Sequence, residues 1–289
     1  MPTTHANGIV IEYRTEGNAA DPVLLLVMGL GGQLIAWPQG FVDGLRTRGF
    51  YVIRYDNRDC GLSTKFEGTP DISSLFAGDT SSAPYRIEDM ADDAAALLAE
   101  LGIPKAHVVG VSMGGMISQA MVINHRDRVL SACSIMSTTG DRSVGAPTGE
   151  AIAALLRPIA TGREEAVEAS LEGSRVIGSP KYPTDEGLLR RRAEDAYDRS
   201  YCPEGTARQL AAVFASPDRT EGLHGARLPF LVVHGEADPL VTLGGGEATA
   251  AAVPGSRLIA IPGMGHDLPE PLWAEMTEAI VANSELASV

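Results

Sequence analysis

The sequence predicts an α/β fold with a mostly parallel sheet covered by helices on both faces. Short apolar runs bounded by turn residues recur along the chain, and segments with helical hydrophobic spacing lie between them. The runs are rich in Val, Ile and Leu, which is typical of strands buried on both sides. With 289 residues the chain is long enough for one large core and an insertion.

Seven apolar runs are predicted as strands: residues 8–14, 23–28, 51–55, 107–111, 130–136, 230–234 and 257–261. Between the third and fourth, residues 87–101 carry apolar side chains on one helical face, and Gly102 followed by Pro104 ends the predicted helix. This alternation of strands and helices is the pattern expected for a parallel sheet.

Residues 137–223 interrupt the alternation, because they contain helical patterns at 150–156, 163–176, 185–200 and 204–215 and no good strand. Turn-rich segments enclose them on both sides. The sequence therefore predicts a core formed by residues 1–136 and 224–289, with residues 137–223 inserted as a helical cap.

The charge balance excludes several partners. Twenty-three basic against 37 acidic side chains leave a net charge of −14, which disfavours nucleic acid and anionic membranes. The longest apolar run, residues 23–28, is far too short for a membrane span, and no secretory signal is visible, so a cytoplasmic location is expected. No cluster with metal-ligand spacing occurs, and neither metal nor cofactor is expected. The oligomeric state stays open.

Ser112 is the candidate nucleophile. The stretch HVVGVSMGGM, residues 107–116, places it between Gly110 and Gly114, directly after a predicted strand and before a helical segment. A Gly-x-Ser-x-Gly sequence in that setting predicts a sharp, strained turn that presents the serine hydroxyl. The pentapeptide alone is weak evidence in a chain with 32 glycines, so the strand–turn–helix context carries the prediction.

A serine hydroxyl needs a base, and the base needs a group that orients it. Asp238 follows the strand at 230–234 and His266 follows the strand at 257–261, which matches the order serine, acid, histidine. In a parallel sheet these loops meet at the edge where Ser112 lies.

Both partners have alternatives. His234 also ends a strand near the predicted site, but it precedes Asp238 by four residues and would break the order. Asp141, beyond the strand at 130–136, is a second candidate for the acid. Asp267, beside the candidate base, is expected to lie at the surface.

Acyl transfer also needs N–H donors directed at the oxyanion. The backbone N–H of Met113 at the start of a helix is one candidate, and that of Leu30 in the turn VMGLGG is the other. No lysine follows this turn and no GxGxxG sequence is present, which disfavours a nucleotide site.

With these motifs in this order, the chain resembles the α/β-hydrolase fold superfamily over nearly its full length. The stretches LLLVMGLGGQLIAWPQGF, VIRYDNRDCGLST and IEDMADDAAALLAELGI resemble the branch of anthracycline methylesterases and mycobacterial lipase-like carboxylesterases. The resemblance implies Ser112, Asp238 and His266 as a triad, Leu30 and Met113 as oxyanion donors, and a helical segment over the mouth of the site. Many relatives carry His-Gly where this chain has Met28-Gly29.

The predicted function is hydrolysis of a small hydrophobic carboxylic ester through an acyl-enzyme intermediate. The same triad would also serve a thioesterase, a lactonase, a perhydrolase or a carbon–carbon bond hydrolase. A receptor that keeps the pocket without turnover is the alternative from another class. The loop RYDNRDCGLS, with Asp56, Arg58 and Asp59, is interpreted as a structural corner beneath the site, and a substrate-binding role for Arg58 is its alternative.

Overall fold

A computed structural model describes residues 2–287, and an eight-stranded sheet lies at its centre. The strands are β1 (Thr3–Ala6), β2 (Ile9–Glu16), β3 (Val23–Val27), β4 (Tyr51–Tyr55), β5 (Ala106–Val111), β6 (Val129–Ile135), β7 (Phe230–Gly235) and β8 (Arg257–Ile261). Their order across the sheet is β1-β2-β4-β3-β5-β6-β7-β8. The pairs β1–β2 and β2–β4 are antiparallel and every other pair is parallel, as the prediction of a mostly parallel sheet requires.

Helices cover both faces of this sheet. Their bounds are α1 (Gln39–Arg46), α2 (Ile72–Phe76), α3 (Ile87–Glu100), α4 (Met113–Asn124), α5 (Gly149–Leu155), α6 (Arg163–Ile177), α7 (Glu186–Arg199), α8 (Pro203–Ala215), α9 (Thr220–Leu223), α10 (Leu243–Ala252) and α11 (Trp273–Glu285). Alternate residues of β3 face opposite clusters: Leu25 packs with α3 and α4, whereas Leu24 packs with α1 and α11. This burial on both faces explains the unbroken apolar runs.

The seven predicted strands are confirmed, with ends within two residues of the predicted ones. The strand β1 is absent from the prediction, because its sequence TTHA is polar and largely exposed. Its pairing with β2 follows from the turn between them, in which Asn7 and Gly8 have φ angles of +48° and +75°. The dipeptide Asn-Gly is the sequence signal for such a hairpin.

Between β6 and β7 the chain forms helices α5 to α9 and, within the described residues, no strand. Two arginines connect this segment to the core: Arg199 of α7 pairs with Asp56 at 2.7 Å, and Arg208 of α8 pairs with Asp59 at 2.8 Å. Leu223 at the end of α9 lies in the core cluster beside α4. The division into core and cap at residues 137 and 223 stays a prediction.

None of the helices in residues 2–287 is long and apolar enough to cross a membrane. The cytoplasmic location stays a prediction.

We expect one part of the stability of this fold to depend on His107 in β5. Burial lowers the pKa of His107 below its ordinary value of 6.5, and its Nδ1 lies 2.8 Å from Ser131 Oγ. The unfolded chain therefore binds a proton near pH 6.5 that the folded chain does not, so stability falls as pH decreases below 6.5.

Urea unfolding from pH 5 to 8, on the wild type and on His107→Gln, measures this dependence. The difference between the two free energies of unfolding should change below pH 6.5, with a slope of at most about 1.4 kcal/mol per pH unit for one proton. Parallel curves over the whole range would contradict the assignment.

Candidate active site

Ser112 lies on a strained turn between β5 and α4. Its φ and ψ angles are +55° and −121°, a conformation that a non-glycine residue adopts only when its surroundings enforce it. The flanking glycines let the backbones approach. A Cβ atom at Gly114 would lie 2.0 Å from the Val27 carbonyl oxygen, and one at Gly110 would lie 2.0 Å from the Gly114 carbonyl oxygen. The close packing of β3, β5 and α4 therefore requires glycine at both positions.

The structure brings Ser112, His266 and Asp238 into one hydrogen-bonded chain. His266 Nε2 lies 2.9 Å from Ser112 Oγ, and its Nδ1 lies 2.7 Å from Asp238 Oδ2. His266 and Asp238 are both buried. This order lets the ring accept the serine proton at one nitrogen while the carboxylate orients the other.

The second oxygen of Asp238 is held by its own loop. Oδ1 accepts hydrogen bonds from the backbone N–H groups of Leu240 and Val241, both at 2.9 Å. These two donors orient the carboxylate towards His266. The loop after β7 thus positions the acid without help from the helical segment.

His234 lies near the same oxygen of Asp238, Oδ2, that His266 contacts. It is fully buried, and its Nε2 donates to the Val241 carbonyl oxygen at 2.7 Å. Burial lowers the pKa of His234, which keeps the ring neutral, and Nε2 is 3.6 Å from Asp238 Oδ2. The ring therefore stabilises the loop that carries Asp238.

The alternative acid, Asp141, is engaged elsewhere. Its Oδ1 accepts hydrogen bonds from the backbone N–H and the hydroxyl of Ser143 in an exposed turn. The structure brings Asp238, and not Asp141, to the histidine.

The expectation that Asp267 lies at the surface is wrong. Its side chain is half-buried beneath the helical segment, where it accepts a hydrogen bond from Ser179 Oγ. Burial raises the pKa of the Asp267 carboxyl. The sequence neighbours of Asp267 do not reveal Ser179, because 88 residues separate the two.

The turn that carries Leu30 lies directly against the serine. A Cβ atom at Gly29 would lie 3.1 Å from Ser112 Cβ, so only glycine allows this approach without displacement. Within the described residues, the backbone N–H groups of Leu30 and Met113 make no hydrogen bond. Both donors are therefore available for an oxyanion beside Ser112.

Two amides that the sequence analysis does not single out hold this turn. Asn57 Nδ2 donates to the Met28 carbonyl oxygen at 2.9 Å. From α8, Gln209 Oε1 accepts the Gly31 N–H at 2.8 Å, while its Nε2 donates to the Arg58 carbonyl oxygen at 2.7 Å. Leu30 is thus fixed from both sides, once by the core and once by the helical segment.

Replacing Gln209 with leucine should displace the turn, because it leaves the Gly31 N–H and the Arg58 carbonyl without partners. We expect kcat for an ester to fall by about 10- to 100-fold, since small displacements of a reacting group have effects of this size. KM should stay within about threefold, because Gln209 does not line the cavity that contains Ser112. Steady-state kinetics on the variant measure kcat and KM separately. If kcat is unchanged although the variant is less stable, Gln209 has a structural role only.

A cavity of about 870 Å³ opens above Ser112 and His266. Core residues form its floor, and α6, α7 and the loop between them form the opposite wall. Apolar side chains predominate, among them Met28, Leu30, Met136, Val176, Ile177 and Leu189. A second cavity of about 700 Å³, lined in part by residues of α5 to α8, shares five residues with it: Leu30, Leu155, Ser170, Ala193 and Ala196.

The contacts of Arg58 in the loop RYDNRDCGLS agree with the interpretation of this loop as a structural corner. Arg58 makes a two-pronged ion pair with buried Asp93 of α3, at 2.6 and 2.7 Å. It does not line the cavity that contains Ser112. Within residues 2–287 no cluster of His, Cys, Asp and Glu has the arrangement of a metal site.

Comparison with known proteins identifies the family. The sequence profile of the alpha/beta hydrolase fold matches residues 22–270. The chain belongs to this family. The predicted fold class and superfamily are thereby confirmed.

Two esterases are similar to this chain over at least 94% of its length. Rhodomycin D methylesterase from Streptomyces peucetius is 29% identical over 314 residues, covering 100% of both chains. The enzyme of the same name from Streptomyces sp. strain C5 is 28% identical over 296 residues, covering 94% of each. These relatives confirm the resemblance to anthracycline methylesterases and support a carboxylic ester hydrolase.

Among solved structures, the enol-lactonase from Burkholderia xenovorans LB400 superposes with a TM-score of 0.77 at 25% identity. The alignment covers 98% of this chain and 99% of that one. The two proteins thus share a fold over nearly their whole length.

Proposed function

We propose that this protein is a serine carboxylesterase with Ser112, His266 and Asp238 as its catalytic triad. The observation that carries the proposal is the hydrogen-bonded chain from Ser112 Oγ through His266 to Asp238, on a strained turn at the floor of an apolar cavity. The methylesterase relatives support the same class of reaction.

In the proposed acylation step, His266 Nε2 takes the proton of Ser112 as Oγ attacks the ester carbonyl carbon. Asp238 then stabilises the imidazolium through the 2.7 Å hydrogen bond at Nδ1. The Leu30 and Met113 N–H groups donate to the oxyanion, where each such donor is worth about 100- to 1,000-fold in rate.

Collapse of the tetrahedral intermediate expels the alcohol, which receives the proton from His266. Water then attacks the acyl-enzyme with His266 as base, and the acid leaves Ser112 by the same steps in reverse. No other group of the protein needs to gain or lose a proton.

Residues 137–223 act in this proposal as a cap that covers the reacting ester. The walls from α6 and α7 supply apolar contacts to the acyl or alcohol part, as is usual in small-molecule sites. The natural substrate is accordingly a hydrophobic ester.

The test combines a fluorophosphonate probe with p-nitrophenyl esters from acetyl to palmitoyl. We expect one adduct by intact mass, mapped to Ser112, and turnover whose dependence on chain length reports the size of the cavity. Labelling without ester turnover would favour thioesters, peracids or diketones as substrates. Absence of labelling would contradict the triad and favour a non-catalytic receptor.

Lactone opening is a second candidate, since it uses the same acyl-enzyme chemistry. A 3-oxoadipate enol-lactonase from Acinetobacter baylyi is 29% identical over 261 residues, covering 86% of this chain. Comparing kcat/KM for a medium-ring lactone with that for the open-chain ester of the same acid separates the two activities.

A further inference from the structure

The proposed mechanism assigns no role to one charged side chain of the cavity that contains Ser112. Arg192 of α7 lines the same cavity as Ser112 and His266. It projects from the helix face that also presents Leu189 and Ala193 to that cavity. Arg192 is half-buried, whereas its neighbour Arg191 is exposed and does not line the cavity.

Within residues 2–287, Arg192 makes no hydrogen bond and no ion pair. The other arginine at this cavity, Arg175, is paired with Glu186. The carboxylates that attract Arg192 are those of Asp267 and Glu270, and both lie beyond ion-pair distance. Asp267 also lines the cavity, but its Oδ1 is engaged by Ser179.

A half-buried guanidinium without a partner loses part of its hydration and receives nothing in exchange. The burial lowers the pKa of Arg192, although the group stays charged at neutral pH. The planar donors of arginine match a carboxylate in a two-pronged geometry, and such a ligand would restore the lost interactions.

We propose that Arg192 is a specificity-determining residue that binds an anionic carboxylate on the substrate, at a distance from the scissile ester. The inference rests on the proposed function and narrows its substrate class to hydrophobic esters that carry a free carboxylate. The apolar walls then hold the chain between the two ends.

The experiment compares mono-p-nitrophenyl suberate with p-nitrophenyl methyl suberate, which has the same chain and no charge. We expect the ratio of their kcat/KM values, charged over neutral, to fall by about 10- to 100-fold in Arg192→Met, chiefly through KM of the charged ester. The neutral ester should change by less than about threefold. Added NaCl should lower the ratio in the wild type and leave it almost unchanged in the variant.

The matched control is Arg191→Met, which removes the same charge from the adjacent, exposed position. Its ratio should stay within about twofold of the wild type. An equal fall in both variants would indicate a general effect of charge, and an unchanged ratio in Arg192→Met would overturn the inference.

Asp267→Asn supplies a test in the opposite direction, because it removes a negative charge that competes for Arg192. The ratio of charged to neutral ester should rise in this variant, whatever happens to overall activity. A fall would contradict the inference. Loss of the proposed function is distinguishable from both outcomes, since it would appear as neutral-ester turnover that persists in Ser112→Ala.

Discussion

Ester hydrolysis by Ser112→Ala should proceed at least about 10⁴-fold more slowly than by the wild type. The substitution removes the atom that attacks the ester carbonyl in the acylation step, and alanine leaves His266 and the donors at Leu30 and Met113 in place. The residual rate should be that of oxyanion binding alone, and the fluorophosphonate adduct should disappear.

A double variant tests whether Ser112 and His266 act together, as the members of a triad do. If Ser112 and His266 act as one unit, then the double variant Ser112→Ala/His266→Ala should be no slower than either single variant within about tenfold. The control is Ser81→Ala at an exposed position, which should keep wild-type kcat and KM. The assigned roles would be excluded if the rate losses of the two single variants multiplied in the double variant. They would also be excluded if either single variant kept a rate within tenfold of the wild type.

Arg208→Met should lower the free energy of unfolding by about 3–5 kcal/mol. Asp59 is almost fully buried and accepts two hydrogen bonds from Arg208, at 2.8 and 3.0 Å. Tyr85 Oη and the Phe66 N–H also donate to it, both at 2.7 Å, so the carboxylate stays in place when Arg208 is removed. The loss then reflects a buried charge without its countercharge.

Urea unfolding measures the effect, with Arg190→Met as a control on α7. Arg190 pairs with Glu164 and Glu168 at the surface, where solvent screens the pairs, so its replacement should change the stability far less than Arg208→Met. Adding Asp59→Asn to Arg208→Met should recover part of the loss, because it removes the uncompensated charge. A loss below about 1 kcal/mol without this recovery would show that Asp59 is compensated by other groups.

How well a feature of this protein can be predicted from the sequence depends on how far apart in the chain its interacting residues lie. The seven strand predictions rely on apolar runs that are buried on both faces, a property visible in consecutive residues. The strand β1 is absent from the prediction, because its apolar content is low and its pairing depends on the turn at Asn7 and Gly8. Helices α5 to α8 have clear periodicity, whereas their packing on the core has no local signal.

The same distinction applies to the candidate site. Ser112, Asp238 and His266 each follow an apolar strand, and the parallel order of those strands brings their loops to one edge. Local motifs and chain order are therefore enough to name them. Choosing Asp238 over Asp141 needs only the loop that orients the acid, which is also local.

What the sequence reveals about this protein is the alternation of its elements and the identity of the groups that would react. The tertiary structure is needed for the contacts that depend on α6, α7 and α8 lying over the sheet. These are the support of the turn at Leu30 by Gln209, the burial of Asp267 against Ser179, and the place of Arg192 in the cavity. The hydrogen bonds of Gln209 to Gly31 and of Ser179 to Asp267 join residues 178 and 88 positions apart. Their formation depends on the packing of whole helices, and no local pattern of residues encodes that packing.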